Sequence, residues 1–517
     1  MKSRLSRILV SILIFSLALQ TFTLPAQAQS EANENQAGIV NIRTELAGPH
    51  QRYSDTVERP DAIPPSPEVI AKTKAQVANF DCSTVTDVPQ IECEALVALY
   101  ESTNGAGWTY NTNWLQTTTV ANWYGIWVPV GIGVTRINLP YNQLNGSIPA
   151  GLGILSNLEV LDLSWNNLTG SIPQEIGELP NLEVLNLSYN PLTGSIPTKL
   201  GDLSNLEELR LNNNQLIGGI PTELGDLSNL EELHLENNPL TGSIPADLGD
   251  LSNLRALNLN NNQLTGSIPT KLGDLSNLEE LHLENNQLNG SIPADLGDLS
   301  NLQDLCLSFN QLTGSIPAEL GNLSDLQWLH LYNNQLSGSI PKELGGMSDL
   351  QILYIFNNKL TGGIPTQLGN FSNLGVLDLS GNQLTGNIPA ELGDLSNLES
   401  LNLSGNQLTG NIPSTLGKLS NLESLNLSGN QMTGSIPSTL GNLSNLQSLS
   451  LFNNQLSGSI PLSFVNLTNL SYFYSYETNL CEPATEEFLV WKSTVMEWYG
   501  PGNVCEDMLI CLPLIFR

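Results

Sequence analysis

Four side chains with metal-binding chemistry lie in one register of this sequence. His234, His282 and His330 recur at intervals of 48 residues, and Cys306 stands midway between the last two. Imidazole nitrogen and thiolate sulfur are ligands that Zn²⁺ prefers, so His282, Cys306 and His330 are the candidate metal ligands. Equal spacing works against such a site, because side chains held at a constant separation do not easily converge on a tetrahedron. We therefore expect no bound metal and no cofactor.

A second set of side chains has the chemistry to contact an organic ligand. The set falls in two segments that are 24 residues apart, and it comprises Trp328, His330, Tyr332, Ile352, Tyr354 and Phe356. Exposed clusters of this kind commonly mark contact surfaces, and Trp and Tyr anchor many interfaces. We therefore predict that these six residues bind a ligand.

Motifs for catalysis are missing from the sequence. It contains no G-x-S-x-G, no H-E-x-x-H and no glycine-rich phosphate loop, and it has only four histidines. Paired carboxylates occur only as by-products of a repeat, which disfavours a glycosidase. We therefore expect a protein that is not an enzyme.

The elements that position these side chains belong to a repeat of 24 residues. The block 155–178, LSNLEVLDLSWNNLTGSIPQEIGE, returns with an anchor asparagine at fourteen positions from Asn142 to Asn454, without insertion or deletion. One unit cannot bury its own leucines, so neighbouring units must stack and share a continuous core. The alternation around Asp162 predicts a strand with this aspartate directed outward. The anchor asparagine is expected inside, where its carboxamide must satisfy backbone groups of adjacent coils.

The consensus L-x-x-L-x-L-x-x-N-x-L, followed by L-T-G-x-I-P, resembles the leucine-rich-repeat family and its plant-type subclass. The resemblance covers residues 130–480, and the run ALVALYESTNGAGWTYNTNW ahead of it resembles the cap of secreted bacterial members. It implies an α/β solenoid, a right-handed leucine-rich-repeat superhelix with a parallel concave β-sheet and small helical caps at both ends. Similarity to plant receptor ectodomains and polygalacturonase-inhibiting proteins implies recognition of a ligand on the concave face.

Changes in composition divide the chain into six segments. They are a signal peptide (1–28), a flexible linker (29–80), an N-terminal cap (81–130), the solenoid (131–480), a disulfide-closed C-terminal cap (481–507) and a short apolar tail (508–517). The leader has three basic residues, an apolar run too short to span a bilayer, and Ala-Gln-Ala at its end. We therefore expect a secreted, extracellular or cell-surface protein without a transmembrane segment, and a periplasmic location stays open.

Export favours disulfide bonds between cysteines that bracket the two caps. We predict the pairs Cys82 with Cys93 and Cys481 with Cys505, which leaves Cys306 and Cys511 unassigned. In the C-terminal cap, residues 482–498 are predicted to form one helix with aromatic residues on one face.

Charge and the outward columns of the sheet limit the partners. A net charge of −32 repels phosphate backbones, so we expect no nucleic acid; the partner is an unknown protein, peptide or glycan, and the chain is a monomer. Along the sheet, residues 208–284 are acidic with histidines, residues 328–356 are aromatic, and residues 378–428 are an outward surface of Ser, Asn and Gly. The first hypothesis is therefore an extracellular recognition module; the alternative is a structural or adhesive surface protein with weak, distributed contacts.

Overall fold

The computed structural model describes residues 80–505 of the chain, all within one compact unit, Pro64–Arg517. The proposed signal peptide, most of the linker, Cys511 and the apolar tail lie outside the described residues. Each 24-residue unit forms one coil, with a three-residue strand, a bend at the anchor asparagine, an extended return and a short 3₁₀ helix.

The strands of successive coils form a sheet of 17 strands. Its first strand is antiparallel to the second, and the other neighbours are parallel, in register at 24-residue steps through the repeats. The strands are Ile126–Trp127, Arg136–Asn138, Val160–Asp162, Val184–Asn186, Glu208–Arg210, Glu232–His234, Ala256–Asn258, Glu280–His282, Asp304–Cys306, Trp328–His330, Ile352–Tyr354, Val376–Asp378, Ser400–Asn402, Ser424–Asn426, Ser448–Ser450, Tyr472–Tyr474 and Glu497–Tyr499.

Shorter strands and 3₁₀ helices form the other sides of the coils. The short strands are Asn145–Gly146, Asn167–Leu168, Thr265–Ser267, Gln287–Asn289, Ser337–Ser339, Lys359–Gly362, Gln383–Asn387, Gln407–Thr409, Ser457–Ser459 and Asn479–Cys481. In the repeats, the 3₁₀ helices are Ala150–Ile154, Gln174–Glu178, Thr198–Asp202, Thr222–Asp226, Ala246–Asp250, Thr270–Asp274, Ala294–Asp298, Ala318–Asn322, Lys342–Gly346, Thr366–Asn370, Ala390–Asp394, Ser414–Lys418, Ser438–Asn442 and Leu462–Asn466. Ahead of the repeats are Cys82–Thr84, Gly105–Gly107 and Val120–Asn122.

The leucines of each coil form the core that stacking was predicted to create. In the unit quoted above, Leu158, Leu161, Leu163, Leu168 and Ile176 are fully buried. They belong to one hydrophobic cluster that continues from coil to coil through the described chain. The burial of each coil therefore depends on its neighbours, as the length of the repeat unit requires.

The anchor asparagines form the predicted ladder. Asn310 is buried, and its Nδ2 donates to the carbonyl oxygen of Leu283 in the preceding coil at 3.0 Å and to that of Leu307 in its own coil at 3.2 Å. Its Oδ1 accepts a hydrogen bond from the backbone N–H of Leu288 at 3.0 Å. One carboxamide thus satisfies polar backbone groups of two coils at the bend, where no strand partner is present.

An aromatic cap closes the N-terminal end of the core. The helix Gln90–Ser102 packs over the first coil, and the disulfide Cys82–Cys93 ties its first turns to the preceding segment. Trp108, Trp114 and Trp123 are almost completely buried, and Trp108 and Trp114 meet edge to face with ring centroids 4.9 Å apart. These tryptophans therefore fill the end of the core.

The C-terminal cap differs from the predicted single helix over 482–498. The helix covers only Glu486–Lys492, and Glu497–Tyr499 forms a last strand that pairs in parallel with Tyr472–Tyr474. An uncovered sheet edge exposes unpaired backbone groups, and pairing of Glu497–Tyr499 as a strand covers this edge. The predicted disulfide Cys481–Cys505 holds this segment closed. The two α-helices among residues 80–505 have 13 and 7 residues, and neither has the length and hydrophobicity of a membrane span.

Candidate functional site

The side chains opposite the leucines form the open face of the main sheet. Four of the six predicted ligand-binding residues lie there on two neighbouring strands, where Trp328 is in register with Ile352 and His330 with Tyr354. Tyr332 and Phe356 each follow one of these strands by two residues. Each of the six is half-buried. We call this group the aromatic patch: Trp328, His330, Tyr332, Ile352, Tyr354 and Phe356.

Ring contacts make most of the aromatic patch continuous. Tyr332 and Phe356 stack with centroids 4.4 Å apart and an interplanar angle of 15°, and Tyr332 meets Tyr354 edge to face at 6.0 Å. The ring of His330 lies 5.1 Å from that of Tyr354. Rings that pack against each other lose little freedom when a ligand binds, which favours their use as anchors.

Aromatic residues at the bend that follows some of the strands are absent from the predicted ligand-binding set. Phe309 is 42% exposed, and its ring contacts Tyr332 at 5.3 Å, so it extends the aromatic patch. Far along the chain, Tyr141, Trp165 and Tyr189 stack on one another, with centroids 5.0 and 3.6 Å apart. All four have positive φ, which bulky side chains seldom adopt and for which most coils use Asn or Gly. In the sequence, the available signal was a bulky aromatic residue at a position where most coils have Asn or Gly.

The candidate metal ligands are closer together than their spacing suggested. His330 Nδ1 lies 3.4 Å from Cys306 Sγ. Asp304 was not among the candidate metal ligands, but its carboxylate approaches two of them. Its Oδ1 is 3.6 Å from Cys306 Sγ, and its Oδ2 is 3.5 Å from His282 Nε2. The alternation of strand side chains puts Asp304 and Cys306 on the same face, which is the signal that could have identified it.

Burial and acidic neighbours perturb the titration of this group. Burial lowers the pKa of His330 to about 4. Burial acts in the same direction on His282, but its ion pair with Asp304 and the nearby carboxylates outweigh that effect and raise its pKa to about 9. Burial, together with the charges of Asp304 and Glu284, raises the pKa of the Cys306 thiol. A neutral thiol beside a neutral imidazole is a poor nucleophile pair.

The acidic coils are ordered by internal ion pairs. Arg210 Nη2 lies 2.7 Å from Glu232 Oε2, and His234 Nε2 lies 3.2 Å from the same oxygen. Burial acts to raise the pKa of Glu232, but the hydrogen bond from His234 and the charge of Arg210 lower it to about 2. Glu232 is therefore ionised, and its charge is balanced within the protein.

The Ser and Asn side chains predicted to face outward over residues 378–428 lie on the open face, but little of their surface is accessible to solvent. Asp378, Asn402 and Asn426 are at most 6% exposed. Asp378 accepts two of the hydrogen bonds: Asn402 Nδ2 donates to its Oδ2 at 2.9 Å, and Ser380 Oγ donates to its Oδ1 at 2.6 Å. Adjacent strands are only ~4.8 Å apart, so short polar side chains fill the space between them and water reaches little of each. Their hydrogen-bonding groups are mostly used within the protein.

Matches to known families cover the whole repeat. Residues 235–364 and 358–490 match a leucine-rich repeat region, and residues 132–192 match a leucine rich repeat. Residues 180–228 and 204–250 match a model of two leucine rich repeat copies. No curated protein matches the chain.

Solved structures similar to this one include two plant receptors and one bacterial protein. The plant peptide hormone receptor RGFR1 in complex with RGF2 is 39% identical over 68% of this chain and 56% of its own, with a TM-score of 0.67. The Arabidopsis receptor kinase HAESA, in complex with the peptide hormone IDA and the co-receptor SERK1, is 31% identical over 80% of this chain and 78% of its own, with a TM-score of 0.60. The Leptospira interrogans leucine-rich-repeat protein LIC12759 is 33% identical over 69% and 94%, with a TM-score of 0.52.

The stacked coils, the parallel sheet and the asparagine ladder define a solenoid with one open binding face. The chain belongs to the leucine-rich repeat family. It spans 56% of the first of these receptors and 64% of a second receptor, TDR.

Proposed function

We propose that the protein is a non-enzymatic extracellular recognition module that binds a protein, peptide or glycan through the aromatic patch, with an extended peptide as the best fit. The single observation that carries this proposal is the patch itself, a set of half-buried side chains in two adjacent coils of the open face, most of them rings in mutual contact. Clusters of Trp and Tyr in partly desolvated positions are the usual anchors of binding energy.

The relatives support a peptide over the other ligands. RGFR1 is named in complex with RGF2, and HAESA is named in complex with a peptide hormone. Both share the fold and at least 31% of their residues with this chain over the aligned region. The net charge of −32 favours a ligand with positive charge, since opposite charges speed encounter and align the partners.

Buried polar side chains in the later coils argue against the adhesive alternative. A surface that adheres through many weak contacts needs unsatisfied polar groups facing the solvent. In residues 378–428 the groups at these positions are buried and mostly hydrogen-bonded to each other. The part of the sheet that was expected to adhere therefore has few groups left to do so.

Replacement of patch residues tests the proposal. The tagged chain would first isolate its ligand from the surroundings of the source organism, and affinity would then be measured for Trp328→Ala and Tyr354→Ala. Loss of a buried anchor typically costs about 2 kcal/mol or more, so each variant should bind at least ~30-fold more weakly. Trp165→Ala is the matched control, because Trp165 is an exposed aromatic residue outside the patch.

Two results would contradict the proposal. The first is unchanged affinity in both patch variants. The second is weak binding that decreases in proportion to the number of coils retained, as the adhesive alternative requires.

A further inference from the structure

Among residues 80–505, one group of His, Cys and acidic side chains comes close enough to hold a metal ion, and it lies around Cys306. The group consists of His282, Asp304 and Cys306, whose ligand atoms all lie within 4.8 Å of one another. They come from two adjacent strands, in which His282 is in register with Cys306. His330, on the next strand, faces the same sulfur.

We propose that His282, Asp304 and Cys306 bind a Zn²⁺ ion, with His330 Nδ1 placed to complete the site. The set offers imidazole nitrogen, carboxylate oxygen and thiolate sulfur, which together suit a borderline ion such as Zn²⁺ better than Mg²⁺ or Ca²⁺. His330 also belongs to the aromatic patch, but the inference does not depend on the proposed ligand function, because metal binding is measured separately.

Three separations between the donor side chains are close to those of a tetrahedral site. With ligand bonds of about 2.0–2.3 Å, a tetrahedral Zn²⁺ separates its donor atoms by roughly 3.3–3.6 Å. The separations are 3.4 Å from Cys306 Sγ to His330 Nδ1, 3.6 Å from Cys306 Sγ to Asp304 Oδ1, and 3.5 Å from Asp304 Oδ2 to His282 Nε2. The constant spacing of the column was expected to prevent convergence, but Asp304 supplies a donor from the neighbouring column.

Burial and an unused nitrogen atom provide the second observation. Cys306 is 7% exposed and Asp304 is 6% exposed, so the protein has removed both from water. Nε2 of His282 is buried, and its contact with Asp304 Oδ2 at 3.5 Å is not a hydrogen bond of normal geometry. Buried polar atoms without hydrogen bonds are rare and need a reason, and an ion between these side chains would give one.

Metal loading of the full chain, purified without chelator and without a polyhistidine tag, tests the site. After exposure to Zn²⁺ and removal of free metal, elemental analysis should find one equivalent bound. Loading with Co²⁺ should produce the near-ultraviolet charge-transfer band of a cobalt–thiolate bond. Both signals should be lost in Cys306→Ser. In His282→Asn and Asp304→Asn, the affinity for Zn²⁺ should fall by at least ~100-fold, because loss of a residue that only hydrogen-bonds a metal ligand already lowers affinity by up to ~100-fold.

A matched control and a thiol control complete the experiment. His234→Asn removes a histidine of the same column, two coils away, where the neighbours are Glu232, Glu236 and Asn258 rather than a thiol; it should retain full metal binding. Cys511→Ser excludes the other unassigned thiol and should also retain it. Circular dichroism would confirm that each variant is folded. If Cys306→Ser does not fold, metal binding by Asp304→Asn tests the site in its place. A wild-type chain that retains no metal, or binding that survives Cys306→Ser, overturns the proposal.

Discussion

The buried carboxyl group of Asp378 makes a strong prediction about stability. It sits on the open face of the sheet, 4% exposed, and accepts hydrogen bonds from the backbone N–H and hydroxyl of Ser380 and from Asn402. Burial raises the pKa of Asp378 from its ordinary value of 3.8 to about 6, because these hydrogen bonds only partly compensate for the loss of water around the charge. A rise of this size corresponds to about 3 kcal/mol.

The sign follows from proton binding in the two states. Because the folded pKa lies above the unfolded one, the folded chain binds more protons than the unfolded chain between about pH 4 and pH 6. The free energy of unfolding should therefore fall as pH rises through this window. Above about pH 6, the Asp378 contribution should be lower than at acidic pH by roughly 3 kcal/mol.

Replacement of Asp378 by Asn should remove this dependence. Asn already occupies the same position in the next coil, where Asn402 Oδ1 accepts from the backbone N–H and hydroxyl of Ser404. Loss of the hydrogen bond from Asn402 to Asp378 costs about 1 kcal/mol, so Asp378→Asn should still be more stable than wild type by about 2 kcal/mol at neutral pH. Near pH 4 that advantage should disappear, because the wild-type carboxyl is then largely protonated in the folded state.

Urea unfolding of wild type and variant across this pH range is the measurement. The difference between the two proteins cancels titrations that they share, and Asp226→Asn controls for loss of one negative charge at an exposed position. A difference between Asp378→Asn and wild type that stays constant from about pH 4 to pH 7 would refute the argument.

Two further predictions concern the packing of the coils. Asn310→Ala should lower the free energy of unfolding by at least about 3 kcal/mol, because it leaves the buried backbone groups of Leu283, Leu307 and Leu288 without their partner; the exposed Asn301→Ala, measured in the same urea titration, should cost much less. Gly153→Ala should destabilise by about 1–3 kcal/mol, because its Cβ would lie 2.3 Å from the Glu175 carbonyl oxygen of the next coil, whereas Gly151→Ala meets nothing within 4 Å and should leave the thermal midpoint nearly unchanged. Equal effects within either pair would contradict the reasoning.

Much of the fold could be predicted because it is periodic. A spacing of 24 residues without insertions requires identical coils, so the buried leucines, the parallel register and the role of Asn310 follow from one block of sequence. The disulfide pairs followed from position at the two ends of the repeat. The C-terminal cap could not be predicted in this way, because Glu497–Tyr499 becomes a strand only in the presence of the sheet edge that it covers.

The candidate site was predictable only in part, because period and register do not determine side-chain direction. The aromatic patch followed from register, and the structure brings Tyr332, Tyr354 and Phe356 into contact. Strand alternation puts Asp304 and Cys306 on the same face, but it does not give the 3.6 Å approach of the carboxylate to the sulfur. Burial of the Ser and Asn side chains depends on how closely these short side chains pack between adjacent strands. The order of residue types in the sequence does not predict that packing.

Where the columns are uniform, the coils satisfy one another and little binding capacity remains. The Asp378 and Asn402 coils show this, since Ser380 and Asn402 direct their polar groups at the same carboxylate. The columns change between His282 and Phe356, where a thiol, imidazoles and large rings replace the short polar side chains. Those replacements leave buried nitrogen atoms without hydrogen bonds and rings partly open to solvent. A scaffold of equivalent coils can localise binding only where that equivalence is broken, and both the proposed ligand site and the proposed zinc site fall in the same few coils.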